Sequence, residues 1–155
     1  SKSMKKILKK DLFTVTFDKC FEEVICACGD VRDETWISEK FVETYTKLYD
    51  MGIAHSVEVW NGKRLVGGLY GLSLGKMFFG ESMFSIETNS SKIALIKLCE
   101  YLKEKDYYVV DCQVHNSHLE SMGAREIERS EFLKILENQI NNNGKYSKWD
   151  IQDKK

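Results

Sequence analysis

The stretch Tyr107-Tyr108-Val109-Val110-Asp111-Cys112-Gln113 begins with four apolar or aromatic residues and turns polar at its far end. Four β-favouring residues followed by Asp-x-Gln read as a buried strand carrying two hydrogen-bonding side chains to its carboxyl edge. Side chains two apart on a strand share a face, so Asp111 and Gln113 can converge on one atom while Cys112 points the other way. Taken alone, the same residues have a simpler reading, in which Asp111 caps the next helix and Gln113 is a solvated loop residue.

Upstream of this strand, Asn89 to Ser91 offer caps for a helix that faces Ala94, Leu95, Leu98, Cys99 and Leu102 inward. Before it, His55 to Trp60 alternates as a strand and Asn61-Gly62 signals a tight hairpin. The return strand, Arg64 to Leu72, carries Gly67, Gly68 and Gly71, which weaken a strand unless a bulge or a close approach requires them. Lys76 to Phe79 reads as a third strand. Glu81 then stands as a lone carboxylate between apolar neighbours, where it must reach solvent or be held by a cationic partner.

Nearer the start, Phe13, Val15 and Phe17 alternate with Thr14 and Thr16 as a half-buried strand. Asp18 can cap a helix bearing Phe21, Val24, Ile25 and Cys28, with Gly29 as its stop. A polar connection from Asp30 to Ile37 contains Trp36, a lid on the core or a stacking face for a base. Ser38 opens a second helix with Phe41, Tyr45, Leu48 and Tyr49 on one stripe. Beyond the central strand, a short helix from Asn116, a strand at Arg125 to Ile127 and a helix from Ser130 complete the order.

A chain of 155 residues, 43% hydrophobic and 12% aromatic, can bury one sizeable core. We expect one domain over residues 1–137 and a polar, mobile tail over 138–155, where Asn, Lys and Asp dominate despite Trp149. Five cysteines without regular spacing fit reduced thiols rather than a disulfide framework. No run approaches the roughly 18 apolar residues of a membrane span, and the Lys-rich start is not followed by a signal-type apolar core. A cytoplasmic protein without a membrane partner is expected. The net charge of −1 argues against a broad nucleic-acid footprint, although Lys2, Lys5, Lys6, Lys9 and Lys10 leave room for a local phosphate contact.

Two other chemistries are open to these residue types. Cys112, His115 and His118 could hold a metal, or Cys112 with His115 could act as nucleophile and base, but Cys112 faces away from Asp111 and no fourth ligand stands near. No metal and no cofactor are therefore expected. His55, at the head of a strand, reads as a satisfied structural histidine.

The element order is that of an α+β domain with a mixed central sheet flanked by helices, and it resembles the acyltransferase fold of GCN5-related N-acetyltransferases (GNAT). Such enzymes hold acetyl-CoA pyrophosphate with a glycine-rich loop. The corresponding loop here, Thr88-Asn89-Ser90-Ser91-Lys92, has no glycine, which disfavours a CoA-dependent N-acetyltransferase.

A closer resemblance rests on His55-Ser56-Val57-Glu58-Val59-Trp60, Leu65-Val66-Gly67-Gly68-Leu69-Tyr70-Gly71, Phe79-Gly80-Glu81-Ser82-Met83-Phe84-Ser85 and Asp111-Cys112-Gln113. With Thr35-Trp36-Ile37, Ser91-Lys92 and Gly123-Ala124-Arg125-Glu126-Ile127, these words resemble those of bacterial leucyl/phenylalanyl-tRNA–protein transferases, in order from Ser3 to Leu136. The resemblance implies transfer of Leu, Phe or Met from its tRNA to the N-terminal Arg or Lys of a protein, in the N-degron route to protein degradation. It implies that Asp111 polarises Gln113, whose carbonyl oxygen accepts from the attacking amine, and that Glu81 lies near the reacting amines. It further implies that Trp36 stacks on the terminal adenosine, and that Leu69, Phe78, Met83, Ser85, Leu95, Leu98 and Val110 surround the transferred side chain. Family members carry a smaller N-terminal domain, and this chain begins about where that domain would join. A non-catalytic module that binds charged tRNA or peptide N-termini is thus the alternative to an active transferase.

Overall fold

The computed structural model describes residues 13–29, 35–107, 109–111, 130–131, 134 and 149, with the backbone alone at 35–38 and 109–111. The order is β1 (Thr14–Phe17), α1 (Phe21–Ala27), α2 (Thr35–Asp50), β2 (Ala54–Asn61), β3 (Arg64–Leu74), β4 (Met77–Ser85), α3 (Ser90–Glu104) and β5 (Val109–Asp111). The strands form a five-stranded sheet in the order β1-β2-β3-β4-β5. Neighbours are antiparallel except β4 and β5, which run parallel and are joined through α3.

Both faces of the sheet are covered, which is why β2 is buried over most of its length instead of on alternate residues. On one face Val15, Phe17, Val57, Val59, Leu69 and Phe78 meet Ile93, Ala94, Leu95, Leu98 and Leu102 of α3. On the other, Ala54, Tyr70, Leu72 and Phe84 meet Phe21, Val24 and Ile25 of α1 and the Phe41, Tyr45, Leu48 and Tyr49 stripe of α2. The apolar spacings of α1, α2 and α3 are thus spent on the sheet, except that Cys99 of α3, expected to face inward, is exposed.

The glycines of β3 answer close approaches. A Cβ on Gly67 would strike the Ser90 side chain, and one on Gly68 would lie 2.5 Å from the Val57 carbonyl oxygen. The first hairpin pairs Asn61 with Arg64, so its two central residues are Gly62 and Lys63, one position later than the Asn-Gly signal suggests. Gly62 supplies the positive φ of 61° that the first central position needs.

Several expectations are corrected by what the chain packs against. The third strand runs on through Gly80 to Ser85, because β3 continues to pair with it. The second helix begins at Thr35, so the Trp36 backbone lies in its first turn and not in a connection. Asp18 caps no helix: the residue before α1 is Cys20, which makes no side-chain cap, and Asp18 itself turns the chain with φ 55°. Asn89 precedes α3 without a side-chain cap, and the Ser90 hydroxyl donates to the carbonyls of Val66 and Glu87.

Freed from capping, the buried Asp18 carboxylate becomes a tertiary node. It accepts from the Ser56 backbone N–H at 2.8 Å, from His55 Nδ1 at 2.7 Å and from the Trp149 backbone N–H at 2.7 Å. Trp149 was expected in a mobile tail, yet it is 8% exposed and stacks on His55 at 3.8 Å between ring centroids. The short helix from Asn116 and the closing strand at Arg125 to Ile127 lie outside the described residues, whereas Ser130, Glu131 and Lys134 are helical.

Glu58 lies beside this node with no exposed surface. Thr16 Oγ1 and the Lys19 N–H donate to its Oε1 at 2.7 and 3.1 Å, and the Ser56 hydroxyl donates to Oε2. Burial raises its carboxyl, against the pull of the three donors and with help from the Asp18 charge. An acid raised above its unfolded value contributes stability at pH below the unfolded carboxylate range and loses it as pH rises through the folded value. The parent minus Glu58→Gln difference in denaturation midpoint should therefore shrink as pH is raised from the acid side towards neutrality; a constant difference would refute this.

Candidate active site

The β3–β4 ladder pairs Tyr70 with Ser82 and Gly71 with Gly80, which leaves Glu81 as an extra residue in β4. Such a bulge breaks the alternation of the strand and re-aims its side chain. Beside it, the parallel ladder with β5 pairs Met77 with Val109, Phe78 with Val110 and Phe79 with Asp111. The end of the described β5 thus stands next to the bulge, two residues from Glu81 along β4. Asp111 and Val110 are placed by their backbone positions alone, and Gln113 lies outside the described residues.

Glu81 is partly exposed and so reaches solvent, one of the two outcomes open to it, and among the described residues it interacts with the Tyr45 hydroxyl of α2. Burial pushes the Tyr45 phenol up to about 12, and the Glu81 charge and hydrogen bond add to the rise. The phenol therefore stays protonated and donates. Tyr45 is in turn set by its neighbours: its ring meets Tyr70 edge-on at 5.7 Å and Phe41 at 4.5 Å. Trp36 lies in the first turn of the same helix, and its side chain is not among those described.

The apolar candidates gather on the α3 face. Leu69, Phe78, Leu95 and Leu98 belong to one cluster and are buried, whereas Met83, which pairs with Leu69, is 40% exposed. Burial deepens from Met83 through Leu95 at 6% and Leu69 at 3% to Leu98 at 1% and Phe78 at 0%. The gradient runs from the exposed Met83 inward to the fully buried Phe78. Ser85 sits at the end of β4, where its hydroxyl meets Ser90 Oγ at 2.9 Å, donates to the Glu87 carbonyl at 2.7 Å and receives the Ser91 N–H at 3.4 Å. It ties the strand end to the first turn of α3.

His55 is 1% exposed and bonded to Asp18, which fits its structural reading. Among the described residues no group of three or more His, Cys, Asp or Glu could hold a metal, and Cys112, His115 and His118 lie outside them. No described helix is long and apolar enough to cross a membrane.

The profile of the family described as leucyl/phenylalanyl-tRNA protein transferase matches residues 1–137. This chain belongs to that transferase family. Over 140 residues it is 56% identical to the leucyl/phenylalanyl-tRNA–protein transferase of Flavobacterium johnsoniae, covering 88% of this chain and 66% of the relative. For the Campylobacter jejuni protein of the same name the identity is 50%, covering 90% and 64%; for that of Cellvibrio japonicus it is 52%, covering 88% and 59%. The chain thus spans slightly less than two thirds of the length of these transferases.

Among solved structures, two aminoglycoside acetyltransferases from uncultured soil metagenomic samples share the fold. One superposes with a TM-score of 0.59 at 13% identity, covering 77% of this chain and 93% of the other, and the second with 0.56 at 15%, covering 75% and 93%. The transferase family chain therefore has a GNAT-like acyltransferase fold. Tyr45 was seen in the sequence only as one member of a core stripe, since nothing in a helical spacing reveals a hydroxyl reaching a bulge on another element. Removing that hydroxyl in Tyr45→Phe should lower stability by about 1 kcal/mol through the lost bond to a charged group, discounted for partial exposure. An unchanged urea midpoint would show that the bond contributes nothing.

Proposed function

We propose that this chain transfers Leu, Phe or Met from aminoacyl-tRNA to the N-terminal Arg or Lys of an acceptor protein, in the cytoplasm, marking it for degradation through the N-degron route. The observation that carries the reading is the adjacency of Asp111, at the end of the described β5, to the bulge that re-aims Glu81. Family membership supports the donor and acceptor classes.

The reaction needs an uncharged amine, a route for its proton and stabilisation of an oxyanion. The acceptor nitrogen attacks the ester carbonyl carbon, a C–N bond forms, and the ribose hydroxyl leaves as the ester C–O bond breaks. Asp111 polarises the amide of Gln113, whose carbonyl oxygen accepts a hydrogen bond from the attacking amine. An amide is a poor base, so positioning of the two reactants supplies much of the rate. Glu81, steadied by Tyr45, holds the basic N-terminal residue or its ammonium. Trp36 stacks on the terminal adenine.

The donor side chain enters past Met83 and Ser85 towards Leu69, Leu95, Leu98, Val110 and Phe78. Such an apolar cleft discriminates by only about 1–3 kcal/mol per methylene, which suits mixed use of Leu, Phe and Met. A pyrophosphate cradle at α3 is less well supported, because Ser85 already meets the Ser91 N–H and the turn before it has no glycine.

Labelled Phe-tRNA incubated with a peptide beginning with Arg should yield Phe-Arg-peptide, and Asp111→Ala or Gln113→Ala should each slow it about 100-fold. Transfer at the parent rate by these variants sinks the relay. No transfer by the parent turns the reading towards a module that binds charged tRNA or peptide N-termini without chemistry.

A further inference from the structure

The aromatic row on the α3 face includes a residue that the transfer chemistry leaves unused. His55 of β2 pairs with Gly71 of β3, which pairs with Gly80 of β4, so these positions form one row across the sheet. Gly71 has no side chain to fill its place. The Phe78 ring takes it, since a Cβ on Gly71 would lie 2.7 Å from Phe78 Cζ. On the β2 side of that ring stands Trp149, stacked on His55 with an interplanar angle of 5° and 5.7 Å from the Phe78 ring centre. Tyr101 of α3 and Phe17 of β1 close round it at 4.9 and 6.3 Å. The Asp18 carboxylate holds both the Trp149 backbone N–H and the His55 ring, each at 2.7 Å. Trp149 is therefore held at its main chain and at its ring, and it is buried.

We propose that Trp149 determines donor specificity by buttressing Phe78 at the floor of the cleft for the donor side chain; the proposal rests on the donor-binding half of the aminoacyl-transfer reading. Phe78 stands on β4 opposite Val110 of β5, and Trp149 lies 5.7 Å from its ring on the β2 side. A wall there sets how deep the cleft is. The indole supplies the wall because its flat face lies on His55, which is fixed by Asp18. Trp149 touches no reacting atom and acts through Phe78, so it is a positioning residue. With the buttress removed, the Phe78 ring, already over Gly71, can shift further towards β2 into the place of the indole, and the deeper cleft gains more for an aromatic donor than for an aliphatic one.

The test uses phenylalanyl- and leucyl-adenosine analogues with a 3′-amide in place of the ester, which bind without reacting. The readout is the ratio of their dissociation constants for the full chain and for Trp149→Ala and Trp149→Phe. Trp149→Ala should shift the ratio about five-fold towards the phenylalanyl analogue, the scale of a small volume change in an apolar cleft. Trp149→Phe, which keeps a stacked ring, should stay close to the parent. A general loss of folding would weaken both analogues together and leave the ratio alone, so an unchanged ratio in a folded Trp149→Ala overturns the proposal. So does failure of the parent to bind either analogue. Where Trp149→Ala does not fold, Trp149→Leu keeps apolar volume without the flat ring and is held to the same ratio. Absence of peptide transfer by a parent that still discriminates the analogues would sink the transfer reading and leave this one standing.

Discussion

A side chain at residue 71 has no place to go, and much of the rest of the structure follows from that. Its Cβ would strike the Phe79 carbonyl oxygen and press on the Phe78 ring. The missing side chain lets β3 and β4 close up where their register changes and leaves room for the edge of the Phe78 ring. Beyond that point β4 carries one residue too many, and Glu81 is the residue left without a partner. The constraint joins two ends of the proposed chemistry: it makes room for the cleft floor on one face, and it stands beside the bulge whose carboxylate Tyr45 steadies. Glycine is the residue that satisfies both.

The Asp18 carboxylate plays the corresponding part at the other side of the sheet. A buried carboxylate without donors would be costly, and Asp18 meets donors from the sheet at His55 and Ser56 and from residue 149, far along the chain. Glu58 is held nearby by three donors of its own. The nearby Cys20 thiol is pushed up to about 12 by burial, with the Glu58 and Glu23 charges adding to it, so it stays protonated near neutral pH. These polar groups form a scaffold for the aromatic cluster, not a second reaction centre.

Periodicity carried the reading of the layers. The Phe21-Val24-Ile25 and Phe41-Tyr45-Leu48 spacings and the inward face of the helix around Leu95 and Leu98 reappear as packed surfaces, whereas the strand from His55 is buried on both faces and not on alternate residues. Apolar spacing is a local property, and burial of one face against a sheet is its direct consequence. Polar assignments transferred less well. Asp18 and Asn89 stood where a cap is favourable, but Asp18 found donors from remote segments and Asn89 makes no side-chain cap bond. Glu81, which had either to reach solvent or to find a cation, is partly exposed and also interacts with a phenol from a helix more than thirty residues earlier in the chain, which no local pattern announced. The glycines of β3 announced that something approaches closely without saying what.

The sequence by itself determined the class of fold and the family, because apolar spacing and ordered motifs depend only on near neighbours along the chain. The tertiary structure decided the register: that Glu81 is the odd residue of β4, that Asp111 stands opposite Phe79, and that Trp149 lies on His55 beside Phe78. The reason is physical. Which strand residue faces which, and which donor reaches a buried carboxylate, depend on contacts between segments that only closure of the whole core brings together.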